Sequence, residues 1–307
     1  MEPPKERFKM ENKVILSCES TADIPYAHTI ERNIPVIFYS YSIDAQEYED
    51  NMGRDSESLE KFYQSLDEGK MPSTSQINEF RYMDFFEEQL KKGDLIHIAL
   101  GSGVTPSVNN AYKAADMLRE KYPDRKVAVI DSYCAAPGFG LLVDEVADFR
   151  DKGATFEEIV EYAKIMSKKV HSQFFSTDLK FFKRSGRVSG AAATVASILG
   201  ICPIMHLDET GHIIAYDKVR GKKNAISETV NTMLKLIPEG AQYSGRCYIG
   251  HSNCIDDCNE TAKKIAETFP KLEGKIKIYD IGNIIASHCG PGTVAVFFVA
   301  NERTSDK

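Results

Sequence analysis

Leu95-Ile-His-Ile-Ala-Leu-Gly-Ser-Gly-Val-Thr-Pro-Ser-Val-Asn-Asn-Ala111 is an apolar run that empties into a turn of glycines and hydroxyls and then opens a helix. Strand, turn and helix in that order are half of a βα unit. In an open α/β sheet the crevice outside the carboxyl ends of the strands holds ligands, and a helix N-terminus there offers unpaired N–H groups to an anion. Ser102, Thr105 and Ser107 stand at this mouth. Thr105 or Ser107 also suits the plainer task of capping the helix.

Working outward, further apolar runs at residues 14–16, 36–39 and 127–130 alternate with amphipathic stretches at 57–66, 80–90 and 108–121. Alternation of this kind predicts a parallel sheet with helices on both faces, and continuous rather than alternating strand hydrophobicity fits strands covered on both sides. A turn is expected at 135–140 with a helix after it. Another helix is expected over 155–169, opened by a capping box of Thr155 with Glu158. From Ser172 the strands come closer together. Runs at 204–207 and 213–216 flank Asp208-Glu-Thr-Gly211 as in a hairpin, and helices are expected at 224–236 and 256–269. The fold class is therefore α/β, with an N-terminal parallel-sheet lobe over 1–170 and a second α/β lobe with a mostly antiparallel sheet over 171–285. Residues 286–307, with an apolar run at 294–299, are a candidate to return to the first lobe.

A chain of 307 residues is long enough for two such lobes, and 42% hydrophobic with 27% charged residues is the composition of a globular protein. A net charge of -7 argues against a nucleic-acid groove, which needs a concentrated Lys/Arg face. Seven cysteines without a CxxC pair indicate neither a disulfide framework nor a zinc ribbon. Residues 1–13 are charged and lack the apolar centre of a signal peptide, so a cytoplasmic location is expected. The apolar run 191–205 contains Thr194, Ser197 and Pro203 and falls short of the ~18 to 20 residues of a membrane span. It reads as a buried helix and turn, with no stable membrane insertion.

No GxxxxGK[ST] phosphate loop occurs, and Gly138-Phe-Gly140 lies too far behind its strand for a dinucleotide fingerprint, so helix packing accounts for these glycines. A nucleophile elbow at Ser102 would need glycines where Leu100 and Val104 stand. His251, Cys254 and Cys258 lack a fourth metal ligand in register. Three further segments are of the opening type: Pro72-Ser-Thr-Ser-Gln76, a hydroxyl-rich loop before a helix; Phe182-Lys-Arg-Ser-Gly-Arg-Val188, a basic turn before an apolar helix; and Ser287-His-Cys-Gly-Pro-Gly292, a rigid turn with one histidine. Taken singly, Thr74 reads as a helix cap, Arg184 and Arg187 as a solvated turn, and His288 as a structural histidine.

Taken in order, these segments resemble the DegV family along nearly the whole chain. The series begins with Ser17-Cys-Glu-Ser-Thr-Ala-Asp23. It continues through Thr74-Ser-Gln76, Ser102-Gly-Val-Thr105, Asp131-Ser132, the Ser-Gly-Arg-Val core ending at Val188, Leu207-Asp-Glu-Thr-Gly211, Arg220-Gly-Lys-Lys223 and His288-Cys-Gly-Pro-Gly292. The chain departs from the family pattern at Thr105-Pro-Ser107, where Ser-Gly-Thr is usual, and at Ile77, where proline is usual. The resemblance implies a two-lobe fold holding a long-chain fatty acid in an apolar tunnel, with no cofactor. It implies a non-catalytic subunit that presents the carboxylate to a separate ATP-binding fatty acid kinase subunit, which makes the acyl phosphate. By position, Thr74, Ser102 and His288 would bind the carboxylate, Ser75, Gly103 and Thr105 would support them, and Arg187 and Arg220 would meet the kinase. The alternatives are a hydrolase or transferase using Ser102 with His288, and a lipid-binding regulator without a kinase.

Overall fold

The structure, a computed structural model, describes residues 13–188 and 200–304. The chain runs through β1 (Val14–Glu19), α1 (Tyr26–Glu31), β2 (Val36–Ile37), β3 (Ser40–Ile43), β4 (Gln46–Glu49), α2 (Ser56–Asp67), β5 (Ser73–Ser75) and α3 (Glu79–Leu90). Next come β6 (Asp94–Ala99), α4 (Val108–Lys121), β7 (Val127–Asp131), α5 (Ala136–Asp151) and α6 (Phe156–Ser167). The remainder is β8 (Val170–Ser176), α7 (Lys180–Ser185), β9 (Ile201–Leu207), β10 (Ile213–Arg220), α8 (Lys222–Leu236), β11 (Cys247–His251), α9 (Ile255–Thr268), β12 (Lys277–Asp280), α10 (Asn283–Cys289) and β13 (Thr293–Val299).

β2, β1, β6 and β7 form a parallel sheet in that order, with Ile15 opposite Leu95 and Leu95 opposite Val127. Every residue of β6 is buried, as the unbroken apolar run requires. β3 turns out of this sheet and forms a small antiparallel one with β4 and β5. Thus only Val36–Ile37 of the expected strand at 36–39 is strand, and Ser73–Ser75, read as loop, is a strand. The capping box of α6 is present, with Thr155 Oγ1 accepting from the Glu158 N–H.

The second sheet has the order β10-β9-β8-β13-β11-β12 and is antiparallel except for the β11–β12 pair. The 208–211 hairpin is formed, with Ile213 opposite Leu207. One expectation is corrected here: residues 293–299 do not return to the first sheet but form β13, between β8 and β11. An unbroken apolar strand needs cover on both faces, and both lobes offer that, so the run itself did not name its sheet. Strand alternation divides the sheet's two faces. Phe174, Met205, Ala295 and Phe297 face the core shared with the first lobe, whereas Phe175, Ile204, Val294, Val296 and Phe298 face a separate core beneath α8 and α9.

α5 is wedged between the lobes, touching β1 on one side and β8, β11 and β13 on the other. The expected turn at 135–140 lies earlier, and Gly138 and Gly140 are inside the helix. A side chain at Gly138 would strike the Phe297 ring, so the residue is small because a strand packs there. Of the apolar run 191–205, residues 201–205 are strand rather than helix and turn, while 189–199 lie outside the described residues. Among the described residues, no helix is long and apolar enough to cross a membrane.

Candidate ligand-binding site

A cavity lies where the loops at the carboxyl ends of the first sheet meet α7, α10 and the shared face of the second sheet. Its apolar wall includes Leu100, Val104 and Ala136 from the first lobe and Phe174, Phe182, Leu207, Ile284 and Phe297 from the second. Its polar end gathers Thr74, Ser75, Gln76, Thr105 and His288, with Arg187 exposed at the rim.

Local pairing sets the polar end. Thr74 lies opposite Tyr41 in the β3–β5 ladder, and the Tyr41 hydroxyl accepts from Asn283 Nδ2 at 2.8 Å, which ties the start of α10 to that strand. At the other end of α10, Arg184 Nη2 donates to Pro72 O at 3.0 Å and Ser287 O at 3.1 Å. Arg184 is thus a clamp between the segment leading into β5 and α10, not the solvated turn residue its sequence suggested. The outcome is a hydrogen bond of 2.9 Å between Thr74 Oγ1 and His288 Nε2, across 214 positions of sequence.

Burial, reinforced by the positive charges of Arg187 and Arg184, lowers the His288 pKa from its ordinary 6.5 to about 4, so the imidazole is neutral at physiological pH. Its Nδ1 is buried and has no partner. When Thr74 donates its hydroxyl hydrogen to Nε2, the neutral ring carries its proton at Nδ1 and has one N–H to give to a guest. The arrangement suits an acceptor-only head group on an apolar tail.

The opening loop behaves differently from its expectation. Thr105 reaches the cavity, and its Oγ1 accepts from the Ser107 N–H at 3.3 Å, which leaves its own hydrogen free to donate. Ser102 is exposed, and its backbone N–H donates to Asp131 Oδ1 at 3.1 Å. Ser102 is therefore not among the residues that line the cavity, nor is it brought to His288, whose ring bonds Thr74. The reason is local: carboxylates are strong acceptors, and Asp131 at the end of β7 lies next to the turn after β6. A Cβ on Gly103 would collide with the Gly211 backbone, so this glycine permits the second lobe's hairpin to touch the ligand loop. Gly186, at φ 67°, ends α7 in the left-handed conformation and turns Arg187 back toward the cavity, where its Nε donates to Val104 O at 3.4 Å. Arg220, at the exposed end of β10, does not line the cavity. Tyr39, which sequence reasoning passed over, does. Among the described residues, no group of three or more His, Cys, Asp or Glu side chains is placed to hold a metal ion.

The family model described as "Uncharacterised protein, DegV family" matches residues 13–301. A DegV domain-containing protein of Clostridium perfringens is 34% identical over 293 residues, covering 95% of this chain and 99% of its own. One from Lactococcus lactis is 27% identical, covering 92% of this chain and 96% of its own. Among solved structures, a DegV family protein of Thermus thermophilus described by its fatty acid binding superposes with a TM-score of 0.81 at 24% identity, covering 94% of this chain and 99% of its own. A stearic-acid-binding protein of Eubacterium ventriosum gives 0.82 at 20% identity, covering 94% and 98%. A DegV family protein of Eubacterium eligens, loaded with heptadecanoic acid, gives 0.79 at 20% identity, covering 94% and 100%. With the match running nearly end to end, this chain belongs to the DegV family.

Proposed function

We propose that the chain binds a long-chain fatty acid in the interlobe cavity and presents its carboxylate to a separate ATP-dependent kinase subunit for acyl phosphate formation. The observation that carries this reading is the neutral Thr74–His288 pair, with an unpartnered Nδ1, at the end of an otherwise apolar cavity. The fatty acids bound by proteins of the same fold support it.

The energetics favour such a ligand. Burying about 14 methylenes at about 0.8 kcal/mol each yields on the order of 11 kcal/mol before the costs of association. The tail then supplies the affinity, and the head group needs only enough donors to replace water. Thr105 and His288 give the carboxylate neutral donors, Thr74 holds the His288 ring in the donating tautomer through Nε2, Ser75 and Gly103 support them, and the Ser102 backbone ties the loop to Asp131. Neutral donors leave a carboxylate oxygen nucleophilic enough to attack a phosphoryl group, whereas a bidentate arginine would withdraw it. In this reading the chain is not itself the catalyst, and ATP comes on the partner. Arg187, and more weakly Arg220, meet that partner.

Organic extraction and mass spectrometry of freshly purified protein tests the first half: one long-chain fatty acid per chain is expected, and recovery of only nucleotide, sugar or metal rejects it. Arg187→Ala tests the second. Fatty acid affinity should stay within about tenfold, some 1.4 kcal/mol, while acyl phosphate formation with the cognate kinase subunit falls much further. Loss of the lipid with the kinase reaction retained on added fatty acid would make Arg187 a pocket residue instead.

A further inference from the structure

Tyr39 lies in the link between β2 and β3, next to Ser40, which pairs with Ser75 on β5. Its ring therefore joins the cavity wall beside the strand that carries Thr74. The residue is only 3% exposed, and its Oη is shut off from solvent without a hydrogen-bond partner.

The groups nearest that hydroxyl are Glu19, Ser107 and Tyr82, and none stands at the distance and angle of a formed hydrogen bond. Each is committed elsewhere. Glu19 is fully buried. Its Oε1 accepts from the Tyr82 hydroxyl at 2.5 Å, its Oε2 accepts from the Leu100 N–H at 2.8 Å, and His97 Nε2 stands 3.4 Å from Oε1. Ser107 Oγ lies 3.2 Å from the Tyr82 hydroxyl and donates to Ile77 O at 3.4 Å. Burial and the negative charge of Glu19 hold the Tyr39 phenol well above its ordinary pKa, so the hydroxyl keeps its hydrogen. A buried donor without a partner is rare in folded proteins, and a guest that brings an acceptor removes the deficit.

We propose that Tyr39 is a further head-group residue, donating its phenolic hydrogen to a carboxylate oxygen of the bound fatty acid while Glu19 positions the surrounding loops. The inference rests on the fatty-acid reading and sharpens it. Thr105, His288 and Tyr39 are all neutral and able to donate, with Thr74 holding the His288 tautomer, which selects an ionised carboxylate, with its several lone-pair sites, over an alcohol that brings fewer acceptors.

The test uses hexadecanoic acid labelled with carbon-13 at the carboxyl, bound to the wild-type protein, to Tyr39→Phe and to Thr74→Val. Tyr39→Phe should weaken binding about tenfold and raise the pH midpoint of the bound carboxyl resonance, because the ionised form has lost a donor. A merely structural role would leave that midpoint where it was. An unchanged affinity and midpoint in Tyr39→Phe, with Thr74→Val weakened, overturns the role of Tyr39 alone. No change in either variant overturns the head-group reading as well. Should Tyr39→Phe fail to fold, 3-fluorotyrosine at position 39 replaces it: a more acidic phenol should tighten binding and lower the midpoint, and no movement of either overturns the proposal.

Discussion

Asp144, on α5, is fully buried and accepts from His28 Nε2 at 2.7 Å, Arg32 Nη1 at 3.3 Å and the Tyr248 hydroxyl at 2.5 Å. Around it, Arg32 also reaches Asp148 and Asp151, and Arg246 reaches Glu145 and Asp148. About two turns away along the same helix, Ala136 borders the cavity. There the polar groups other than Arg187 at the rim are neutral, and three of them, His288 Nδ1, Tyr39 Oη and Ser172 Oγ, have no partner. The first region joins α1, α5 and β11 and has every charge answered by another. The second leaves donors open. An unpaired buried polar group costs stability, so the first region's charges are paired within the chain, whereas the open donors at the cavity are available to a guest.

The contrast is open to attack at its strongest point. Asp144→Ala should cost about 3 to 5 kcal/mol of stability, since it strands buried partners of a charge network, while the folded fraction still binds fatty acid normally. Urea unfolding measures the first and a fluorescent fatty acid the second. A loss below about 1 kcal/mol would mean that this side of α5 is no better satisfied than the cavity.

Acid should act through two histidines, His288 at the cavity and His171 on β8. His288 and His171 are each lowered to about 4 by burial foremost, with nearby arginines adding to it. Their folded values lie below the ordinary 6.5, so the unfolded chain binds more protons between about pH 6.5 and 4, and stability falls as pH falls through that window. Asp50, raised to about 6 mainly by burial, acts with the opposite sign and returns part of the loss. The net fall should be no more than about 3 kcal/mol, read as urea midpoints across the window. His288→Gln should flatten the slope; an unaltered slope would show that the ring is not held neutral by its site.

Thr74→Val reverses the Asp144 pattern. It should weaken fatty acid binding by about 1 to 3 kcal/mol and leave the unfolding midpoint nearly in place. If stability drops as well, the Thr74–His288 bond belongs to the fold rather than to the guest. The smallest effect separates two hydroxyls of one loop: Thr105→Val should cost about 1 kcal/mol of binding and Ser102→Ala less than about 0.5 kcal/mol. The reverse ranking in a titration would restore Ser102 to the carboxylate.

Much of the fold was legible in local sequence. The apolar run of β6, the glycine turn after it and the 108–121 periodicity are complete within a few residues, and the helix of that period is α4 as expected. The Thr155 capping box and the 208–211 hairpin are likewise closed by near neighbours. The candidate site was legible only as a set of separate loops. Thr74, Thr105 and His288 were singled out because hydroxyls and a histidine sat in turns, but Tyr39 and Arg184 gave no sign. One belongs to an ordinary aromatic run and the other to a basic turn.

The sequence by itself determined the alternating elements, the two sheets and the residue types offered to a ligand, because these follow from periodicities of two and 3.6 residues and from turn chemistry. Tertiary structure alone decided which sheet takes β13, that the Ser102 N–H goes to Asp131, and that His288 meets Thr74 with Nδ1 left open. Those outcomes depend on contacts between segments distant in sequence, on competition among acceptors for each donor, and on a burial that no single segment encodes.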